Sequence, residues 1–284
     1  LNQVVNGEIA MQRLDDAVRR ILRVKLRYDL LNKKKPSLRE SDFPNDFIGS
    51  PAHRDIARQA VRESLVLLKN NERTLPADPS KKIMIVGKGA KDISKATGGW
   101  SFTWQGTGNN NSNFPGATSI FAGLESLIAK NKGTVTYSEN GAFSEKPDLA
   151  ILVIGENPYA EYQGSINSLE FINKDFNHLK AAESLQAQNI PVVFLFLSGR
   201  PMWVNKELNR SDAFIAAWLP GTEGGGVAEV IFGQSEEGNP IDFVGKLPFS
   251  WPKDADDSSL NEGDAFYDPL FPIIQMSNVA NCIS

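Results

Sequence analysis

Apolar residues over the first thirty positions recur at helical spacing. Met11, Leu14, Val18, Ile21 and Leu22 share one side of a 3.6-residue repeat, while Asp15, Asp16, Arg19, Arg20 and Arg23 populate the other. This pattern predicts an amphipathic helix over 12–31. Residues 33–49 hold two prolines and alternating charge and read as a linker. Ser50-Pro51 then supplies an N-cap followed by proline in the first helical position. The helix it starts is expected to reach about Glu63 and to bury Ile56, Ala60 and Val61.

From residue 64 the pattern changes to short apolar runs alternating with amphipathic stretches. Strands are predicted at 64–68, 83–87, 134–138, 149–155, 192–197, 213–219 and 246–251. Helices are predicted at 118–130, with Ile120, Phe121, Leu124, Leu127 and Ile128 inward, and at 174–188, 201–208 and 223–232. Gly233 closes the last of these from the C′ position. The strands are continuously apolar rather than alternating, which indicates a sheet covered on both faces. The predicted fold is α/β, a three-layer sandwich with a mostly parallel sheet flanked by helices.

A chain of 284 residues can bury a sizeable core. Its formal charge of −4, with no dense Lys/Arg stripe, argues against nucleic acid as the main partner. Lys33-Lys34-Lys35 precedes Pro36 and reads as a solvated part of the linker. Cys282 is the single cysteine, so there is no internal disulfide framework. Two histidines, His53 and His178, make a His/Cys zinc site a poor reading. No apolar run approaches the ~18 residues of a membrane span. The chain starts at Leu1 with no signal-peptide pattern and is expected to enter a larger protein partway along.

Two loops carry candidate chemistry. Residues 155–164 (GENPYAEYQG) follow an apolar strand, where open α/β sheets present functional groups. Glu156 sits at the sheet rim and is placed to bond neighbouring backbone. Glu161 lies past Pro158, where the loop projects it outward. A general acid needs partial desolvation to raise its pKa and must reach a leaving oxygen; a solvated loop carboxylate is the plain alternative. Residues 98–106 (GGWSFTWQG) place Trp100 and Trp104 in a stretch too rich in glycine to be helical. Their rings either anchor the loop or offer faces to a sugar. Trp203, Trp218 and Trp251 lie in apolar contexts and read as packing residues. Gly87-Lys88-Gly89 lacks the third small residue, the following helix and the downstream acid of a dinucleotide fingerprint. Leu197-Ser198-Gly199 lacks the glycine pattern of a nucleophile elbow.

Taken in order, five segments resemble the carboxyl-terminal sandwich domain of glycoside hydrolase family 3, nearest its exo-β-glucanase and β-glucosidase branch. They are 58–76 (RQAVRESLVLLKNNERTLP), 98–106, 155–164, 218–225 (WLPGTEGG) and 245–252 (GKLPFSWP). Residues 9–31 are similar to the closing helix of that family's (β/α)₈ barrel. The resemblance implies domains of 1–32 (barrel helix), 33–49 (interdomain linker), 50–272 (sandwich) and 273–284 (an atypical tail after the family-like YDPLFP). It implies that Glu161 is the acid/base carboxylate, that Trp104 clamps a sugar and that Trp100 supports or extends the clamp. Glu156 has no catalytic counterpart. Ser165 stands where the family usually has an acidic residue.

The implied mechanism is retaining hydrolysis of a β-glucan or β-glucoside, with no metal or cofactor. The nucleophile is an aspartate on a barrel that these residues do not contain. A periplasmic or extracellular setting is implied. The helix stripe of Met11, Leu14, Val18 and Ile21, lacking its barrel, is expected to self-associate or be held loosely. The alternatives are a carbohydrate-binding module derived from such an enzyme and, less favoured, a nucleotide-binding sandwich.

Overall fold

A computed structural model describes residues 1–35, 38, 47–256 and 259–273. Most of the linker expected at 33–49, the tail beyond residue 273 and Cys282 lie outside the described residues. The chain divides into two compact units, Leu1–Ser50 and Pro51–Ser284.

The first unit holds α1 (Asn2–Val5) and α2 (Met11–Arg27). Helix α2 stops four residues before the predicted end. Asp29 adopts a left-handed φ of 51°, and the Leu30 N–H turns back to the Lys25 carbonyl at 2.9 Å. That pairing is a Schellman closure, here without the usual glycine. The stripe Met11, Leu14, Val18, Ile21 and Leu22 is exposed.

The second unit contains α3 (Pro51–Ser64), β1 (Val66–Asn70), β2 (Lys82–Val86), α4 (Ile93–Thr97), α5 (Ile120–Lys130), β3 (Thr134–Ser138), β4 (Leu149–Gly155), α6 (His178–Gln186), β5 (Val192–Leu197), α7 (Asn205–Asn209), β6 (Ala213–Trp218) and α8 (Gly224–Phe232). Among the described residues the strands form one six-stranded sheet in the order β1-β6-β5-β4-β2-β3. Only β1 runs antiparallel, with Val66 opposite Ala216. The other pairs are parallel, Ile83 facing Leu149 and Ile151 facing Val193. Every residue of β4 and β5 is buried, as strands covered on both faces must be. Pleating sends Ile151, Val153 and Leu195 to one core with α5 and α8, and Leu152, Ile154 and Phe196 to a second core with α6 and α7. The chain is the α/β sandwich that its strand pattern predicts.

Three local expectations are overturned. Helix α3 buries Val61, but Ile56 is 68% exposed and Ala60 is also exposed. Ion pairs select its packed face: Arg54 reaches Glu223 at 2.8 Å and Arg62 reaches Glu229 at 2.6 Å. Both carboxylates are buried, and unpaired charge at such positions is far costlier than exposing one isoleucine. Residues 246–251 form no strand; Trp251 makes a single antiparallel bridge to Phe271. Pro248 and Pro252 cannot donate to a ladder. Trp251 is instead a fully buried plug, 6.0 Å from Trp218 and 6.3 Å from Phe196. Finally, a short helix does follow β2: Asp92 caps α4 by accepting from the Ser94 and Lys95 N–H groups.

Candidate active site at the sheet switch point

Strands β2 and β4 are neighbours, yet their connections depart to opposite faces. The chain leaves β2 through α5, in the first core, and leaves β4 through α6, in the second. Between them the sheet has a topological switch point, where divergent loops open a crevice at the carboxyl ends of the strands. The loop after β2 carries Trp100 and Trp104, and the loop after β4 carries Glu161. The topology therefore brings together side chains about sixty positions apart in sequence.

Close backbone contact between the loops explains the glycines. A Cβ on Gly99 would sit 2.1 Å from the Tyr159 carbonyl oxygen, and one on Gly106 would sit 2.3 Å from the Gly98 oxygen and 2.7 Å from Pro158 Cβ. Gln105 stitches the surfaces together. Its Nε2 donates to the Glu161 carbonyl at 2.7 Å, and its Oε1 accepts from the Ala160 N–H at 2.8 Å. Gly99→Ala is expected to force the loops apart, lowering stability by about 1–3 kcal/mol as overpacking does. Thermal melts and intrinsic fluorescence check this; an unchanged melting temperature with unchanged Trp100 and Trp104 emission would mean that the contact is slack.

Glu161 receives two indole donors on one oxygen. Trp104 Nε1 lies 2.6 Å and Trp100 Nε1 3.0 Å from Oε2. The rings are 6.1 Å apart, tilted by 46°, and Tyr162 meets Trp104 edge-on at 5.8 Å. Trp100 is 68% and Trp104 46% exposed, whereas Trp251 is buried and Trp203 and Trp218 are partly buried. Both residues remain exposed although their N–H edges are engaged. A general acid needs a desolvated carboxylate with a raised pKa, and a solvated loop carboxylate is the alternative. Glu161 is exposed, and the Trp104 hydrogen bond, followed by its own backbone N–H, holds it below the ordinary carboxylate range. The carboxylate form is the one these residues favour.

Glu156 has a different environment. Arg200 grips both of its oxygens, with Nη2 at 2.8 Å from Oε1 and Nε at 3.3 Å from Oε2, and the Ser198 hydroxyl donates to Oε2 at 2.6 Å. Arg200 also donates to the Gly164 carbonyl at 2.6 Å and lies 4.2 Å over the Tyr159 ring. Burial first, then the Glu156 charge, pushes the Tyr159 phenol up to about 12. The Glu156 carboxylate thus pairs with side chains rather than loop backbone, and the Glu156–Arg200–Tyr159 stack is a strut under the loop that carries Glu161. Ser198 is committed to this strut, which leaves no free nucleophile there. Gln105, Tyr162 and Arg200 escape a reading of motifs because each acts through distant backbone or ring contacts. The only sequence signal for Gln105 was its place beside Trp104.

Among the described residues no group of three or more His, Cys, Asp and Glu could hold a metal ion, and no helix is long and apolar enough to cross a membrane.

An α/β sandwich that presents a carboxylate between two exposed tryptophans at its switch point is the class of domain formed here. The chain belongs to the glycosyl hydrolase family 3 C-terminal domain, whose family model matches residues 65–278. It is 31% identical over 286 residues to the periplasmic beta-glucosidase of Salmonella typhimurium, covering 88% of this chain and 35% of that protein. It is also 31% identical over 273 residues to the lysosomal beta glucosidase of Dictyostelium discoideum, covering 88% of this chain and 31% of that protein. The crystal structure of the exo-1,3/1,4-beta-glucanase from a Pseudoalteromonas species superimposes with a TM-score of 0.89 and 54% identity, over 97% of this chain and 34% of that one. The chain spans about a third of the length of these relatives.

Proposed function

We propose that this domain supplies the acid/base carboxylate, Glu161, to retaining hydrolysis of a β-glucoside or β-glucan, and that the nucleophilic aspartate comes from a (β/α)₈ barrel in the same protein. The observation that carries this reading is the carboxylate oxygen of Glu161 held by the N–H edges of Trp100 and Trp104, two indoles that remain exposed. Indole faces stack on the C–H faces of a pyranose, and a carboxyl group beside them meets the need of the glycosidic oxygen for a proton. The names of the relatives support the substrate class, and those of the periplasmic and lysosomal enzymes support a compartment outside the cytoplasm.

In the first step the barrel aspartate attacks the anomeric carbon, the glycosidic C–O bond breaks, and protonated Glu161 gives its proton to the departing oxygen. In the second, ionised Glu161 takes a proton from the water that displaces the aspartate, regenerating the acid. The two carboxyl groups of such a pair stand about 5–5.5 Å apart. In this domain by itself Glu161 rests in the form used by the second step. The acid form requires water to be excluded, which the bound sugar and an opposing barrel supply.

These 284 residues alone are expected to release no measurable phenol from an aryl β-glucoside. One general acid contributes only about 10²–10⁴-fold, and no covalent intermediate forms without the nucleophile. Robust turnover by the pure chain would overturn the division of roles. Saturable binding of gluco-oligosaccharides, with no effect of Glu161→Gln on a full-length enzyme, would favour a carbohydrate-binding module instead.

A further inference from the structure

Trp100 and Trp104 are both exposed, and it is their N–H edges that meet the carboxylate. A carboxylate oxygen has two lone-pair sites in its plane, and two N–H donors fill both on Oε2. A proton added there would have to displace a donor, so it goes to Oε1. The backbone supports this aim. Trp100 and Tyr162, both bulky, hold left-handed φ values of 55° and 71°, a conformation such residues rarely adopt unless their surroundings impose it. The Trp100 N–H is tied to the Trp104 carbonyl at 2.8 Å, which sets the two indoles as a pair. Gln105 completes the frame, because its amide offers a donor and an acceptor to the consecutive backbone groups at Ala160 and Glu161. The acid is thus held at both ends, through its carboxylate and through its own main chain.

We propose that Trp100, Trp104 and Gln105 are positioning residues for Glu161. The paired indole N–H groups occupy Oε2 and assign the transferable proton to Oε1, and the Gln105 amide holds the main chain that carries the carboxylate. This goes beyond a sugar-stacking role for the two rings and rests on the acid/base reading of Glu161 for its catalytic meaning.

The test needs no turnover. In the ¹⁵N-labelled 284-residue chain, the indole Nε1–H signals of Trp100 and Trp104 are followed as the pH is lowered. Both are expected to shift with one shared midpoint below the ordinary carboxylate range, and Glu161→Gln abolishes both shifts. N–H donors favour the charged carboxylate, so removing one raises the midpoint. Trp104→Phe, which keeps an aromatic ring, is expected to move the midpoint seen at Trp100 upward. Gln105→Leu, with an unchanged far-ultraviolet circular dichroism spectrum, is expected to shrink both shifts. Indole signals that do not titrate, that titrate equally in Glu161→Gln, or whose midpoint ignores Trp104→Phe would each overturn the proposal. Because none of these readouts depends on hydrolysis, failure of the acid/base reading shows up separately, in the leaving-group dependence of a full-length Glu161→Gln enzyme.

Discussion

Glu161→Gln in a full-length enzyme, with the barrel in place, is expected to lower turnover of alkyl β-glucosides and gluco-oligosaccharides by about 10²–10⁴-fold, the range supplied by one general acid–base group. The size of the effect should depend on the leaving group. A sugar or alkyl alkoxide is a poor leaving group and needs the proton from Glu161 as the C–O bond breaks. An activated aryl oxide needs little protonation, so its glycosylation step should survive and its loss should fall on deglycosylation, where water must be deprotonated. A burst of phenol followed by slow turnover is the expected record, and an added small anion such as azide should restore turnover by replacing water. Initial rates across a series of aryl and alkyl glucosides measure this. Equal losses across the series, or a larger loss from Glu156→Gln, would assign the acid/base role elsewhere.

The second large effect is on stability. Arg200→Ala removes the fork that holds Glu156, the donor to the Gly164 carbonyl and the cation over Tyr159. The Arg200 side chain is 21% and that of Glu156 14% exposed, so the carboxylate would be left largely desolvated and without a cation, with the Ser198 hydroxyl still donating to it. Breaking a buried pair by removing one member costs about 3–5 kcal/mol. The residual exposure puts this pair near the lower end of that range, about 3 kcal/mol. For a domain of this size that corresponds to a fall in melting temperature of roughly 6–12 °C. Arg200→Lys should recover only part of it, because an ammonium cannot span both Glu156 oxygens in a planar fork. Combining Arg200→Ala with Glu156→Gln should cost less than the sum of the two, since the stranded charge is gone. A loss under about 1 kcal/mol would show that the strut is no more than a surface pair.

The contrast between Glu156 and Glu161 shows why neighbouring carboxylates on one loop part company. Glu156 leaves β4 at its last hydrogen bond, with its own N–H bound to the Leu197 carbonyl at 2.9 Å, so its side chain is confined to the strand rim where Arg200 arrives from the end of β5. Glu161 follows Pro158 and meets the indole N–H groups that the β2 loop brings to it. Position along the loop was legible in the sequence. The partners were not, because both sets arrive from other strands.

Much of the frame is local in origin and so could be read along the chain. Continuous apolar runs mark β4 and β5 to the residue, since a strand covered on both faces leaves no polar position to blur its ends. Gly233, at a φ of 68°, stops α8 where the sequence predicts, because a left-handed residue is a local demand. Where the fold departs from the local pattern, a long-range contact outweighs local preference. Helix α3 turns arginines inward to meet Glu223 and Glu229, and Trp251 is drawn into the core from a segment whose prolines rule out a ladder. The sequence by itself marked the six strands in order, the two loops that meet at the switch point and, through family resemblance, Glu161 as the candidate acid/base. Only the tertiary structure decided that both indoles spend their N–H groups on one oxygen, that Gln105 clasps the acid loop and that Glu156 is a strut. Each of those contacts spans more than forty residues, and no local propensity encodes a hydrogen bond between groups that meet only after the sheet has assembled.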